Sequence, residues 1–519
     1  MQDPTLEERA VHGAFRAVVA AAAVVVALST FYVAPRLTSR TAGTAARSQG
    51  AGGAEQGLTS GTVGGRADTA GNESTGAGQS GPAGDGGGGT VNPAGLSCSG
   101  NNGGKTDVGI DARDIYLAAT EVESGIGQSF LGPVRYGMLA VLQKVNRQGG
   151  VCQRQLHLTL KDDGWRPDVG KQYLDNFIDS NQYFALTVVP SSEGLNAAST
   201  GGDIDNVEDP LTGGRGIPVV GTDGMLNSQY SDPLIWPVAA STATSMRIMA
   251  HDAAMRGRSL GHPVHMGIVY DVNYRFGPEG AGAFVAQAGR DGAKVVQRCE
   301  VPLTAGESGY GTQIKQFNDD CGEGGPDQVD FVALLMEPQT AETWLSGGPY
   351  LGSTSTGQGL GFGGPQPLFD KNFGDTCGQI CQNMEVWTSF YPPIYPFDQR
   401  SEVQIFKQDL CAVDNQCAVD ALSAFTEGGY VGVELLVDAL RATSPDLTRA
   451  RLQAKLDTMR LNAGLSGPLA WKPGFHYANE TMVAFKDAYS GGSSSFQPIN
   501  GGSPESDPCP GCPDKPLSS

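Results

Sequence analysis

Residues 124–151 read SGIGQSFLGPVRYGMLAVLQKVNRQGGV and residues 156–167 read LHLTLKDDGWRP, and together they set the expected layering of the fold. In the first stretch Pro133 suits the opening position of a helix, where its missing N–H costs nothing and its fixed φ is already helical. Val134, Met138, Val141, Leu142 and Val145 follow at helical spacing as one apolar stripe, and Gly149-Gly150 ends it. In the second, Leu156, Leu158 and Leu160 alternate with Gln155, His157 and Thr159, the period of a half-buried strand. Further along, FALTVV (184–189), MGIVY (266–270) and VDFVALL (329–335) are short unbroken apolar runs, as parallel strands show when both their faces are covered. Val433, Leu436, Val437 and Leu440 form a second helical stripe. Ser444 or Asp446 is placed to cap a following helix that turns Leu447, Leu452 and Leu456 inward. Repeated βα units predict parallel sheets with helices on both faces.

The 519 residues include 35 basic and 55 acidic side chains, a formal charge of −20, which argues against a nucleic-acid backbone as partner. Many of the 74 glycines fall between 41 and 97, where Gly, Ala, Ser and Thr leave almost nothing large and apolar to bury. That stretch predicts a flexible tether with a root-mean-square span of roughly 40 Å. The segment from 490 to 519 has a similar Gly, Ser and Pro bias and is expected to be a second disordered tail. Between them lies enough chain for two hydrophobic cores without metals or cross-links.

Residues 17–34, AVVAAAAVVVALSTFYVA, carry no charge, and Arg9 and Arg16 precede them. Eighteen helical residues span about 27 Å, enough for the hydrocarbon core, so an uncleaved anchor over 17–35 is expected. Ala27-Leu28-Ser29 leaves a cleaved signal peptide as the alternative. The basic residues Arg36, Arg40 and Arg47 after the span would by themselves favour a cytoplasmic body, but the cysteines decide otherwise. There are ten, an even number grouped in loop-like sequence: Cys98, Cys152, Cys299, Cys321, Cys377, Cys381, Cys411, Cys417, Cys509 and Cys512. They point to five disulfides in an oxidising compartment, with sequence neighbours as the simplest partners (Cys98 with Cys152, Cys299 with Cys321, Cys377 with Cys381, Cys411 with Cys417). A zinc site is disfavoured by the mismatched spacings. Cys509-Pro-Gly-Cys512 reads as a small tail loop, having no strand before it and no helix after it.

In order and spacing, TDVGI (106–110), SGIGQSFLGPVRYG (124–137), VNRQGGV (145–151), LHLTLKDDGWRP, VVPSSEG (188–194), IPVVGTDG (217–224), IVYDVNYRFG (268–277), VDFVALLMEP (329–338) and the helix 428–442 resemble the branched-chain amino-acid and amide substrate-binding proteins of ABC importers. The resemblance spans nearly all of 106–487. It implies an α/β type I periplasmic-binding fold, with two doubly wound Rossmann-like lobes joined by three crossovers near 237–241, 385–392 and 470–476. The implied division is 1–16, an anchor at 17–35, a linker at 36–105, lobe one from 106–239 with 388–472, lobe two from 240–387 with 473–489, and a tail at 490–519. The implied partners are a small-molecule ligand and the permease subunits of an importer, with the membrane reached through the N-terminal helix. Neither cofactor nor metal is expected.

The resemblance also places site residues. Ser191 and Ser192 match paired serines whose hydroxyls and backbone N–H groups receive a ligand carboxylate; they could equally cap a helix. Phe130 and Phe276 match aromatic residues that shield the cleft, and either could instead be core. Glu337 is placed to pair a ligand ammonium or to be a solvated loop acid. Thr222, Asp223 and Gln366 complete the set. Trp165 and Pro190 stand where family members often carry a cysteine clamp, and Phe130, Phe276 and Glu337 replace aromatic hydroxyls, which leaves the ligand class open. Enzyme motifs are missing: there is no G-x-S-x-G, H-E-x-x-H or G-x-x-x-x-G-K-[ST], and His262 and His265, three apart before a strand, would point to opposite faces. A ligand-sensing ectodomain working with a partner signalling protein is the alternative reading.

Overall fold

Parallel pairing organises both halves of the chain. The computed structural model describes residue 98 and residues 101–204, 216–222, 224–353 and 357–517; the expected anchor at 17–35, the tether up to 97 and Asp223 lie outside them. In the first sheet β1 (Asp114–Glu121), β2 (Gln155–Asp162), β3 (Ala185–Thr187), β4 (Val219–Val220) and β5 (Ile235–Trp236) run parallel in the order 2-1-3-4-5. The second sheet repeats the pattern with β6 (His265–Asp271), β7 (Lys294–Leu303), β8 (Phe331–Leu335), β9 (Gly361–Gly364) and β10 (Glu385–Thr388) in the order 7-6-8-9-10. A small antiparallel pair, β11 (Arg460–Leu461) and β12 (Leu469–Ala470), follows. The second sheet is then extended antiparallel by β13 (Thr481–Ser490) and β14 (Ser493–Pro498), with β15 (Glu505–Ser506) on β13. This is the two-lobed α/β arrangement that the sequence implies.

Local chemistry explains the elements. The helix Val134–Arg147 buries Val134, Met138, Val141, Leu142 and Val145, the stripe read from its spacing. β8 is buried along its whole length, as a central parallel strand must be. The helix Ala424–Thr443 lies across the carboxyl edge of the first sheet at very short range: a Cβ on Gly221 would sit 2.3 Å from the Cα of Gly432, so neither position tolerates a side chain. The helix Arg449–Leu456 is capped by Thr448, whose hydroxyl accepts from the N–H of Arg451. The cap is therefore neither Ser444 nor Asp446, because Pro445 and the turn after it delay the helix.

Three segments join the lobes, and one side chain ties them together. Asn479 donates to the carbonyls of Val238 (3.2 Å) and Ser389 (3.3 Å), while the N–H of Ala240 donates to the Ser389 hydroxyl (2.9 Å). Beside it the Trp471 indole donates to the carbonyl of Pro237 (3.0 Å), and the buried His476 bonds the carbonyl of Ile235 (2.6 Å).

The two chain ends correct the expectations drawn from composition. Order is already present inside the expected linker. Cys98 is bonded to Cys152, Asn102 donates to the carbonyls of Ala112 (2.7 Å) and Cys152 (3.2 Å), and the buried Arg154 donates to the carbonyls of Asp111, Asn102 and Gly104. The other four cysteine pairs are Cys299–Cys321, Cys377–Cys381, Cys411–Cys417 and Cys509–Cys512.

The expected disordered tail is instead a hairpin followed by a strap. Gly491 and Gly492, both at positive φ, turn β13 into β14, and Phe496 packs on Phe369 with ring centres 4.7 Å apart. Beyond β15 the strap is held by charge. Arg247 binds both carboxylate oxygens of Asp507 and reaches Asp514 at 2.9 Å, and Asp514 also accepts from Arg290. Leu517 then bonds the carbonyl of Pro278 (3.0 Å). Gly282 lets the strap through, since a Cβ there would lie 1.9 Å from the carbonyl oxygen of Lys515.

The side chains of Arg247, Asp507 and Asp514 are 2%, 0% and 1% exposed, so removing the guanidinium strands the buried Asp507 carboxylate and leaves Asp514 with Arg290 alone. Arg247→Ala should cost about 3–5 kcal/mol in chemical denaturation. A loss under about 1 kcal/mol would mean that backbone pairing alone holds the strap.

Candidate functional site

In a 2-1-3-4-5 sheet the crossovers leave to opposite faces on either side of β1, and a crevice opens beyond the carboxyl ends of β1 and β3. The second sheet has the same crevice between β6 and β8. Residues at these two edges form the candidate site.

On the first lobe β2 runs into Asp162 and Asp163. Asp162 holds the turn, accepting from the N–H groups of Glu123 (2.8 Å) and Gly164 (3.0 Å). Asp163 is buried and accepts from the N–H of Trp165 at 2.8 Å. Burial raises its pKa, while the hydroxyls of Ser191 and Thr120 oppose the rise. Gly164 and Trp165 both take left-handed backbone conformations, φ 60° and 58°, and that turn throws the indole back over the cleft. A second non-glycine outlier, Val188 at φ 44°, lies just past the end of β3. Left-handed backbone is costly for large or β-branched side chains and concentrates where function needs it.

On the second lobe Asp271 ends β6. One of its oxygens accepts from the N–H of Asn273 at 2.7 Å, and the other is buried without a hydrogen-bond partner. Burial, followed by the nearby charges of Glu337 and Glu193, pushes its pKa up to about 7. Tyr274, three residues on, is raised to about 12 by burial and by Asp271, Glu337 and Glu193.

The lobes meet here. The Trp165 indole stacks on Tyr274 with centres 4.2 Å apart and planes 22° apart, and Phe276 lies 6.5 Å from it. Glu193 accepts from the backbone N–H of Arg275, whose guanidinium stands 3.7 Å from the same carboxylate, and Glu279 accepts from the N–H of Asn227 at 3.0 Å. A second seam joins Asp370 and Ser423 by a backbone bridge, flanked by Lys371 N–H to Leu422 carbonyl (3.1 Å) and Ala424 N–H to Phe369 carbonyl (3.2 Å). Asp370, fully buried in this seam, has its pKa pushed up to about 6 by desolvation.

The residues named from sequence distribute around this junction. Phe130 is buried and meets Trp165 edge-on at 5.3 Å and Phe425 at 5.5 Å. Phe276 opens the helix Phe276–Arg290 and lies nearly parallel to Tyr274. Ser191 occupies the cap position of the helix Ser192–Thr200 but makes no side-chain cap bond; its hydroxyl is buried without a hydrogen-bond partner. Ser192 is buried, with its carbonyl accepting from Gln229 at 3.3 Å. Thr222 donates to the carbonyl of Val189 at 3.0 Å.

Two of these residues have local duties. Glu337 is not a solvated loop acid: it is fully buried and caps the helix Pro338–Ser346, accepting from the N–H groups of Gln339 (2.5 Å) and Thr340 (2.7 Å) and from the Thr340 hydroxyl. Desolvation raises its pKa. Gln366 spends its carbonyl on the N–H of Ser389 at 3.0 Å. Trp165, Tyr274, Asp163 and Asp271 were not singled out as ligand-binding from sequence; the aspartates at strand ends and the aromatic in IVYDVNYRFG were the available signals. A separate surface cavity of about 570 Å3, lined by Tyr310, Ile314, Gln339 and Glu342 among others, contains none of the expected residues.

Asp271 yields a pH prediction. Its folded pKa lies above its unfolded one, so the folded state holds the extra proton between about pH 4 and pH 7, and stability falls as pH rises through that window. Asp271→Asn should leave stability near pH 4 unchanged and raise it by on the order of 2 to 4 kcal/mol at pH 8. Denaturant midpoints that change equally at both pH values would refute this.

The periplasmic binding protein family profile matches residues 114–491. Among solved structures, a fatty acid ABC transporter substrate-binding protein from Thermomonospora curvata aligns with TM-score 0.61 and 17% identity, over 77% of this chain and 95% of that one. A possible leucine/isoleucine/valine-binding protein from Rhodopirellula baltica SH 1 gives 0.61 and 15%, over 75% and 97%. An ABC transporter solute binding protein from R. palustris, in complex with benzoate, gives 0.57 and 14%, over 77% and 99%. No curated protein sequence matches.

Proposed function

Since the chain belongs to the periplasmic binding protein family, we propose that it captures a small polar metabolite (an amino acid, an amide or a similar compound) between its lobes outside the cytoplasm and delivers it to an ABC-type importer. The observation that carries the reading is the meeting of the two crevices: the carboxyl ends of β1 and β3 and those of β6 and β8 converge on the Trp165–Tyr274 junction, where Glu193 and Arg275 also join the lobes. Two lobes that meet through this junction and the Asp370–Ser423 seam suit a pair that parts and closes about three connecting segments. Five disulfides support an oxidising location for the body. Membrane attachment through residues 17–35 belongs to the same proposal and rests on their apolar sequence; among the described residues no helix is long and apolar enough to cross a membrane.

A ligand that binds only the folded protein raises its apparent stability by about 2.7 kcal/mol at a hundredfold excess over Kd. A thermal-shift screen of amino acids, amides, short carboxylates, amines and polyols should therefore return at least one stabilising compound with 1:1 stoichiometry in calorimetry; no shift across such a library would count against solute binding. For the compound found, the Ser191→Ala, Ser192→Ala double variant should bind on the order of 10- to 100-fold more weakly through two lost hydroxyl hydrogen bonds. Unchanged affinity in that variant would remove the serines from the site.

A further inference from the structure

We infer that the cleft takes a planar ring whose edge carries hydrogen-bond donors, held face to face between Trp165 of the first lobe and Tyr274 of the second. The inference rests on the solute-binding reading and narrows it. The two rings come from opposite lobes yet lie almost parallel, 22° apart with centres at 4.2 Å, and Tyr274 is in turn 13° from Phe276. With nothing between them the rings satisfy each other. A closure that stops one ring thickness earlier leaves a slot with a π face on each side, and Phe130, edge-on to Trp165 at 89°, closes one end of it. Stacking of this kind favours a flat ring over a branched aliphatic chain.

The backbone around Trp165 supports the same use. An indole at φ 58° is held against the usual preference of large side chains by Asp163, which accepts the Trp165 N–H.

Two carboxylates at the strand ends, Asp163 and Asp271, each keep a buried oxygen without a hydrogen-bond partner. Among the described residues no Lys or Arg forms an ion pair with Asp163 or Asp271, and Glu193 and Glu337 add negative charge near Tyr274. Arg275, the cation at the rim, is already engaged by Glu193. Ser191 and Asp163 flank the same point beside Gly170, so a carboxylate bound at Ser191 would lie against another carboxylate. A ring bearing N–H, O–H or ammonium groups supplies the missing donors, whereas a carboxylate would be repelled and an alkyl chain would leave the Asp271 oxygen unsatisfied.

The test uses the purified protein with four probes, adenine, tyramine, benzoate and leucine, by calorimetry and intrinsic fluorescence. Adenine or tyramine should bind at least tenfold more tightly than benzoate or leucine. Trp165→Ala and Tyr274→Ala should each weaken that binding on the order of 10- to 100-fold, and Trp165→Phe, which keeps a ring, should retain most of it. Trp236, Trp344, Trp387 and Trp471 are buried away from the slot, so the fluorescence change should shrink markedly in Trp165→Phe even though binding persists. Melting curves of all three variants report folding. Tighter binding of benzoate or leucine, or a metabolite from the wider screen whose affinity neither alanine variant alters, would overturn the inference and leave solute binding standing. Silence from the four probes and the whole screen would overturn solute binding itself.

Discussion

Parallel pairing is the constraint on which everything else depends. Strands that all run one way end at one edge, and the polar or strained residues that follow them are delivered there together. Asp163 follows β2, Val188 and the two serines follow β3, Asp271 ends β6, and Glu337 stands two residues beyond β8. Two such sheets, joined through segments tied by Asn479, turn these edges toward each other. The acidic and aromatic character of the junction is thus a result of chain direction as much as of composition.

Burying so many carboxyl groups with so few cations is costly unless protons or ligands compensate. The fold manages part of the cost locally: Glu337 is bonded by its own helix terminus and Glu193 by the Arg275 backbone. Asp271 and Asp370 are managed less completely, and their pKa values rise to about 7 and about 6. The charge state of the closed junction therefore varies within the neutral range, where ordinary surface carboxylates are constant.

Most of the layering was legible in the sequence because burial writes itself into periodicity. The stripe from Val134 to Val145 and the apolar runs of β3, β6 and β8 could hardly fold otherwise. The tail was misread for an equally physical reason. Composition measures apolar surface, but residues 505–517 are held by ion pairs to Arg247 and Arg290 and by backbone bonds, which leave no periodic trace. Ser490-Gly491-Gly492-Ser493 was the visible warning, a two-residue hairpin turn inside a segment that looked unstructured. At the candidate site, the positions taken from the resemblance fall at the strand ends around the junction, but Trp165 and Tyr274 are not among them. The indole of Trp165 reaches the cleft only because Gly164 and Trp165 adopt left-handed backbone, and nothing in the letters DDGWRP specifies that turn's hand. The solvated-acid reading of Glu337 fails because a helix cap and a loop acid look alike until the first helical turn is placed.

The stitching of Cys98 and residues 101–104 to the first lobe also fixes a route for mechanical load. The bridge from Cys98 to Cys152 and the bonds of Asn102 and Arg154 join this segment to the β1–β2 margin of the first lobe. Tension arriving along the chain ahead of Cys98 is absorbed there, through a covalent link, before it can reach any connecting segment between the lobes. The second lobe bears none of it.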